Sequence, residues 1–592
     1  MCGIAGEIRF DGTIPEVKTL QRICNAMENR GPDNSGIIQH GSIALGHRRL
    51  KIFDLSEHGQ QPMFDPHLGL AAVFNGAIYN FPELKSKLKK QGYRFFSKTD
   101  TEIIIKAYHA WGKQCVEHFN GMFAIVIWDR EKNEFVLFRD RLGIKPIYYT
   151  MNNHFFRFAS TLPALLKGGE IETSINPESL HYYLMFHVVP EHLTLLKGVK
   201  KLKPATVMTI SSDRTVEEYT YWDSKIVSGE VQNKTEDEWV HDFSNLLKKS
   251  IKRQSMADVP IGLLLSGGLD SSLLAAILAQ ELNGNLNTFS IGFESSGGIA
   301  GDEFFYSDII AQRFSANHTK ILIKNNELLE TLDECIAEMS EPMTSHDNPG
   351  FFLLSKEVSK HVKVVQSGQG ADEIFAGYHW FQKCAKIAPY EKPVNFYVSN
   401  VLDRTYHEYC DVVTNDYRTD NFSYDIVDNY FSKNGSQSLV DNALYLDSTF
   451  PLAEGPLKRV DNMTMAWSLE SRVPFLDHEL VEFSAQMPLS LKMKDNGKYI
   501  LKKLAKSLLP SEVIDRPKGY FPVPALKSIE GNYLTRIQDV LKPTQVLNRG
   551  LFELDYIQKL LSAPKSHQTP LGESKLWQIA VLEMWLQNHN IS

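Results

Sequence analysis

The chain has 592 residues with 63 basic and 71 acidic side chains, a formal charge of −8, and 43% hydrophobic and 23% charged residues. At roughly 150 residues per domain this length calls for several folding units, and the mild acidity lacks the basic footprint of a non-specific nucleic-acid binder. The longest apolar run, 121–128, stops at Asp129, short of the ~18 residues a membrane helix needs, so neither nucleic acid nor membrane is expected as a partner.

The amino terminus reads Met-Cys-Gly-Ile-Ala-Gly and meets Glu7 and Arg9 at once. With no basic stretch leading into an apolar core, no secretory signal is expected and the chain is assigned to the cytoplasm. Six cysteines (Cys2, Cys24, Cys115, Cys335, Cys384, Cys410) include no Cys-x-x-Cys pair, which suits reduced thiols rather than a disulfide frame or a zinc site. Short β-rich runs at 42–46, 70–74, 122–128, 135–138, 147–149 and 206–210 predict a layered sheet domain. Polar text after Tyr221-Trp222-Asp223 predicts a linker at 224–235, and a long helical pattern follows over 236–253. Strands at 261–265, 288–292 and 320–323 then alternate with helices at 272–282, 306–314 and 327–339, the pattern of a parallel, doubly wound α/β sheet. From about 395 the chain reads as mostly helical, with a proline-rich break at 516–524 and no internal repeat.

Cys2 follows the initiator methionine, and its removal would leave a free α-amino group on the residue that carries the thiol. An α-amine with a pKa near ~8 can take the thiol proton, which puts nucleophile and base on one residue. Taken alone, Cys2 reads equally as a cysteine without chemistry. Its companions are Arg30-Gly31-Pro32-Asp33, His47-Arg48-Arg49-Leu50, Phe74-Asn75-Gly76-Ala77-Ile78-Tyr79-Asn80 and Lys98-Thr99-Asp100-Thr101-Glu102. In that order and spacing, over about 210 residues, the set resembles the class II glutamine amidotransferase domain, the glutaminase half of asparagine synthetases. The resemblance makes Cys2 the nucleophile on the glutamine amide. It makes Asn75 and the Gly76 backbone N–H the oxyanion hole, and gives Arg49 and Asp100 the substrate's carboxylate and amino group. Without it, Asn75-Gly76 reads as a hairpin turn and Arg49 as a surface cation.

Further on, an apolar strand runs into Ser266-Gly267-Gly268-Leu269-Asp270-Ser271-Ser272 and an apolar helix follows. Strand, glycine loop and helix start form an anion site, because the backbone approaches the ligand and the helix terminus adds positive charge. The Walker lysine is missing and an aspartate opens the helix, so Mg²⁺ is expected between that carboxylate and a phosphate. A capped strand-to-helix turn without a ligand is the alternative. A second segment, Val364 onward through Gln366-Ser367-Gly368-Gln369-Gly370-Ala371-Asp372-Glu373, repeats the strand-then-glycine form.

The seven-residue string resembles the PP-loop of the ATP pyrophosphatases, and Glu470-Ser471-Arg472-Val473-Pro474-Phe475-Leu476-Asp477 and Lys498-Tyr499-Ile500-Leu501-Lys502-Lys503 match the later signature of asparagine synthetases. The resemblance implies ATP as substrate, held by Ser266, Gly267, Gly268, Asp270, Ser271 and Ser272, with Leu264, Ile291, Ser367 and Gly368 against the adenosine. It implies Mg²⁺ on Asp270 and Asp372 and places Lys498 beside the α-phosphate and acyl-adenylate. Lys498 read alone is one lysine among many. The fold implied is an αββα-layered Ntn-hydrolase glutaminase domain over 1–223, a linker over 224–235, and a doubly wound PP-loop domain with a helical carboxyl-terminal part over 236–592. Glutamine, ATP and a carboxylate acceptor are the partners implied, and a homodimer is compatible with the resemblance.

One position departs from the family. Asparagine synthetases carry Ser-Gly-Glu-Gly-Ser-Asp-Glu where this chain has Gln369 in place of the first glutamate, and an amide cannot serve as the base that receives ammonia's proton. The strings at 293–307, Gly377-Tyr378-His379-Trp380 and 518–524 resemble the N-acetylglutaminylglutamine amidotransferase branch, which amidates a dipeptide's terminal carboxyl to make an osmoprotectant. The expected acceptor is therefore N-acetylglutaminylglutamine, with Gln369 in its pocket. An asparagine synthetase acting on aspartate and an inactive relative kept for interaction are the alternatives.

Overall fold

The structure is a computed structural model that describes residues 2–226, 234–282, 284–296, 300–388, 391–516, 519, 523–527 and 529–591. Most of the linker expected at 224–235, residues 297–299 of the first divergent string, and residues 518 and 520–522 of the last lie outside the described residues.

The amino-terminal part runs β1 (Gly3–Arg9), α1 (Val17–Asn25), β2 (Asn34–His40), β3 (Ile43–Arg49), β4 (Met63–Asp65), β5 (Leu70–Ile78), α2 (Phe81–Lys90), α3 (Asp100–Trp111), β6 (Gly121–Asp129) and β7 (Glu134–Arg139). It continues through β8 (Tyr148–Met151), β9 (Phe155–Ala159), α4 (Leu162–Leu166), α5 (Pro177–Phe186), β10 (Lys200–Lys201), β11 (Thr206–Ser211) and β12 (Val216–Thr220). These strands make two six-stranded antiparallel sheets, ordered β10-β8-β9-β1-β3-β2 and β12-β11-β7-β6-β5-β4. The sheets pack face to face through Ile4, Ile8 and Leu45 on one side and Ala71, Val73, Val126 and Leu137 on the other. The alternate residues of β5 and β6, Ala72, Phe74, Ile125 and Ile127, point outward and are covered by Leu84, Leu88 and Ile103 of α2 and α3. Burial on both faces explains why β5 and β6 read as unbroken apolar runs, and each buried valine, leucine, isoleucine or phenylalanine there contributes about 1.5–3 kcal/mol. Leu20, Ile23 and Cys24 of α1 cover the outer face of the first sheet.

The carboxyl-terminal part opens with α6 (Glu236–Arg253) and then β13 (Ile261–Leu264), α7 (Leu269–Glu281), β14 (Asn287–Phe293), α8 (Phe304–Arg313), β15 (Asn317–Ile323), α9 (Asn325–Glu330), α10 (Leu332–Ala337), α11 (Asp347–Val358) and β16 (Val364–Gln366). Mostly helical chain follows, interrupted by β17 (Glu470–Arg472). A capping box at Thr235 and Glu238 starts α6, and its stripe Trp239, Phe243, Leu247 and Ile251 is buried. The five strands form one parallel sheet in the order β15-β14-β13-β16-β17. Leu263 and Leu265 pack under α6 and α7, while Leu264, Phe289 and Val365 pack under α11 through Phe352 and Val358, so both faces are covered. The strand order reverses beside β13, and ligands of such sheets bind at the carboxyl ends of the strands at that point.

One expectation changes and one strand is added. The helix expected over 327–339 is two short helices, α9 and α10, that meet at Thr331, whose hydroxyl shares the Glu327 carbonyl at 2.9 Å with its own backbone N–H at 3.1 Å. The stretch after 395 is mostly helical as expected, and within it Glu470–Arg472 adds an edge strand to the parallel sheet that was not expected. Among the described residues, no helix is long and apolar enough to cross a membrane, and all six cysteines are free.

Buried charges join the two parts. Asp461 meets Arg30 at 2.8 Å and Lys145 at 3.3 Å. Lys201 meets Glu341 at 2.8 Å and Glu454 at 2.5 Å, and Lys458 meets the same two carboxylates at 2.7 and 2.6 Å.

Candidate active site

The register of β1 against β3 pairs Gly3 with Arg48, which brings Cys2 to the end of the strand that carries Arg49. From the facing sheet, the Asn75 Oδ1 accepts a hydrogen bond from the Cys2 backbone N–H at 3.0 Å. Asn75 is fully buried, and its Nδ2 has no partner among the described residues. A buried amide donor left open is costly and is ready for an oxygen that gains negative charge. Asn75 and Gly76 lie inside β5 rather than at a hairpin. Gly76 has φ +150, and a Cβ there would stand 2.0 Å from the Met122 carbonyl oxygen, so only glycine fits.

Arg49 is buried, and carbonyl oxygens of the following loop hold its guanidinium: Ser56 at 3.0 Å, Asp54 at 2.6 Å and Phe53 at 3.2 Å. It is not a surface cation. Asp100 opens α3, where the Thr99 hydroxyl caps the helix, and accepts the Ile78 N–H at 3.1 Å. Burial pushes Asp100 up to about 7 against that hydrogen bond. Burial likewise pushes the Cys2 thiol up, while Arg49 pulls it down. Cys2, Arg49, Gly76 and Asp100 line one pocket together with Gln61, Thr101 and Glu470. The last three were not expected. Glu470 arrives from β17, paired with Arg472 at 2.7 Å, and no local pattern announces a residue so distant in sequence. A thiol, an open amide donor, a fixed guanidinium and a carboxyl together suit a small zwitterion with an amide or ester to be attacked.

A second cavity of about 800 Å³ opens at the carboxyl ends of β13, β14 and β16. Leu264, Ser266, Gly268, Asp270 and Ser271 line it from one loop, Ile291 from β14, and Ser367, Gly368, Gln369 and Asp372 from the loop after β16. Gly267 frames the turn from behind with φ +71, where a Cβ would stand 2.6 Å from the Ser307 nitrogen. Ser272 is fully buried on α7 and does not line the cavity. The Ser266 hydroxyl accepts the Gly268 N–H at 3.2 Å, which shapes the start of α7. Lys498, the residue before helix Tyr499–Ala505, reaches Asp270 at 2.5 Å and Asp372 at 2.8 Å. Burial alone would lower its pKa, but the two carboxylates outweigh that and raise it above the ordinary lysine value.

Several lining residues were not legible beforehand. Arg516 meets Glu303 at 3.0 Å and donates to the Gly267 carbonyl at 3.2 Å. Arg459 meets Asp347 at 3.2 Å. The Tyr378 hydroxyl donates to Glu373 at 2.7 Å. The strings at 377–380 and 518–524 carried a resemblance to one branch of the family, and the break at 516–524 only its prolines, with nothing in their spacing to indicate which side chain would face the cavity.

The glutamine amidotransferase domain profile matches residues 1–222, and the asparagine synthase profile matches residues 242–587. The chain is 29% identical to asparagine synthetase [glutamine-hydrolyzing] 1 of Bacillus subtilis, over 99% of this chain and 96% of that protein. It is 30% identical to asparagine synthetase [glutamine-hydrolyzing] 3 of the same organism, over 100% and 99%. Amidase chyE of Penicillium rubens is similar at 25% identity over 97% of this chain and 96% of the relative. The chain thus belongs to the glutamine-hydrolysing asparagine synthetase family of ligases.

Proposed function

We propose that the chain is a cytoplasmic, glutamine-dependent and ATP-using amidotransferase that amidates the terminal carboxyl of N-acetylglutaminylglutamine. Residues 1–223 form the Ntn-hydrolase glutaminase domain, 224–235 the linker and 236–592 the PP-loop synthetase domain. The observation that carries the acceptor is Gln369, a neutral amide on the wall of an 800 Å³ cavity. Ligand pockets run to roughly 1,000 Å³, so this volume takes a nucleotide and a second substrate of dipeptide size.

Once Met1 is removed, the Cys2 amine takes the thiol proton and sulfur attacks the glutamine side-chain carbonyl. The oxyanion faces Asn75 Nδ2 and the Gly76 N–H. The C–N bond then breaks, ammonia leaves with the proton from the amine, and water releases glutamate from the thioester. Arg49 holds the substrate carboxylate, and Asp100 its ammonium. Leu50 and Ile52 of this pocket pack with Tyr79, Met122, Ile261, Val364 and Met465, an apolar seam toward the parallel sheet that suits neutral ammonia. In the second cavity, an acceptor carboxylate oxygen attacks the α-phosphorus of ATP and pyrophosphate departs. Ammonia then attacks the acyl carbon of the adenylate, AMP leaves, and the proton that ammonia gives up passes to water, since Gln369 cannot take it. Lys498 is placed to offset charge at the α-phosphate. Leu264, Ile291, Ser367 and Gly368 take the adenosine, and Ser266, Gly267, Gly268, Ser271 and Ser272 shape the phosphate loop.

Asp270 and Asp372 already converge on one cation, Lys498, and an all-oxygen pair completed by phosphates and water suits Mg²⁺. Bound there, Mg²⁺ would supply neutralisation of the phosphate charge.

Pyrophosphate release with each acceptor tests the reading. It is expected with N-acetylglutaminylglutamine and near background with aspartate, since a site built for amide hydrogen bonds rejects a mismatched analogue by ~10⁴ or more. Comparable kcat/KM for the two would overturn it, and activity with aspartate alone would make the chain an asparagine synthetase acting on aspartate.

The Asp100 carboxyl gives a pH dependence. An ammonium is held by the ionised form, and burial sets its pKa at about 7 in the empty pocket. The competent fraction then rises with pH, so KM for glutamine falls roughly tenfold between about pH 6 and 8. A flat KM over that range excludes a titration of Asp100 near 7 as the control on glutamine binding.

A further inference from the structure

Arg459 and Asp347 face the second cavity from two different elements. Arg459 sits on helix Lys458–Met465 and Asp347 opens α11. The guanidinium Nη1 meets Asp347 Oδ2 at 3.2 Å and donates to the Ser345 hydroxyl at 3.0 Å, and its carbon lies 5.3 Å from the Phe351 ring centroid. Its Nε is buried and has no partner among the described residues. Arg459 also lies close enough to Tyr378, on the same cavity, to bear on its hydroxyl.

The neighbours of Arg459 on its helix hold it in place. Lys458 is locked to Glu341 and Glu454, and Asp461 to Arg30 and Lys145. These buried pairs fix the rotation of the helix, so Arg459 is a rigid feature of the wall rather than a free surface cation. Its charge is met by Asp347, and the pair presents no net charge to a ligand. It does present donors from the guanidinium beside an acceptor from the carboxylate. A primary amide has a carbonyl that accepts and an NH₂ that donates, the complement of such a pair.

We infer that the Arg459–Asp347 pair is the specificity-determining element that reads a glutaminyl side-chain amide of the acceptor. This rests on the acceptor proposed above and adds which residues recognise it. A glutamyl side chain in the same place brings a carboxylate against Asp347 and lacks the NH₂ donor. Such repulsion between like charges discriminates where attraction alone would not.

The test uses the full-length enzyme, ATP, and ammonium in place of glutamine, so that only the second cavity is read. Acceptors are N-acetylglutaminylglutamine and its two analogues with one glutaminyl residue replaced by glutamyl. The wild type should disfavour one analogue by roughly tenfold or more in kcat/KM. Asp347→Asn removes the anion, leaves Arg459 unpaired, and should raise that analogue relative to the parent by roughly tenfold. An unchanged ratio, with ATP-dependent pyrophosphate release intact, overturns the role of the pair while leaving the acceptor assignment standing. If Asp347→Asn does not fold, Arg459→Gln carries the test. It should raise KM for the parent acceptor at least roughly tenfold with KM for ATP unchanged, and an unchanged acceptor KM overturns the inference. A wild type that turns over no N-acetylglutaminylglutamine removes the acceptor reading, and this inference with it.

Discussion

Cys2→Ala should abolish glutamine-driven amidation, by on the order of 10⁴-fold or more as expected for loss of a nucleophile, while synthesis from added ammonium continues. The reason lies in the separation of the two sites. Cys2, Arg49 and Asp100 line a pocket of the sandwich, and the Lys498 cavity lies at the far ends of the parallel strands. Removing a sulfur atom from the first leaves Asp270, Asp372 and Lys498 untouched. Asn75 Oδ1 accepts from the Cys2 backbone, not from the thiol, so the alanine variant keeps the local structure. Glutamine-dependent product above a tenth of the wild-type level would sink the nucleophile assignment, and a mass spectrum that retains Met1 would undercut it independently.

Asp270→Asn is the second large effect. Lys498 bridges Asp270 and Asp372, and loss of one charge at that junction removes a cation ligand and unbalances the buried ammonium. ATP-dependent synthesis should fall by ~10²–10³ or more, the usual cost of deleting one preorganised electrostatic contact. Glutamine hydrolysis should persist, because nothing in the Cys2 pocket depends on Asp270. The wild-type products should be AMP and pyrophosphate. ADP and phosphate instead would refute acyl-adenylate chemistry and with it the PP-loop reading.

What the sequence revealed follows from how local each signal was. The α6 boundaries coincide with the expected 236–253 because the cap, the capping-box glutamate and the apolar stripe are all within one stretch. The glycine loop after β13 was legible for the same reason. β1 was not, although it carries the nucleophile's neighbour. Its Gly3 and Gly6 weaken any strand pattern, and they are there because Met27, just after α1, and β9 come close: a Cβ would stand 2.9 Å from Met27 at Gly3 and 2.4 Å from Phe158 at Gly6. β17 was missed because three residues show no periodicity, and its strand character comes entirely from pairing with β16. Arg49, Asn75 and Asp100 were found through a resemblance of spaced motifs. Glu470, Arg459 and Asp347 reach their pockets through tertiary packing alone, which leaves no trace in local spacing.

The buried charges between the two parts bear on how such enzymes can be recombined. Arg30 and Lys145 share Asp461, and Lys201 shares Glu341 and Glu454 with Lys458. A buried ion stripped of its partner typically costs about 3–5 kcal/mol, comparable to much of a domain's net stability. A chimaera that grafts this amino-terminal part onto a foreign synthetase would therefore strand at least three cations unless the recipient carries carboxylates at matching places. The boundary between the parts is a compatibility lock, and interchange of halves would have to carry both sides of each charge pair together.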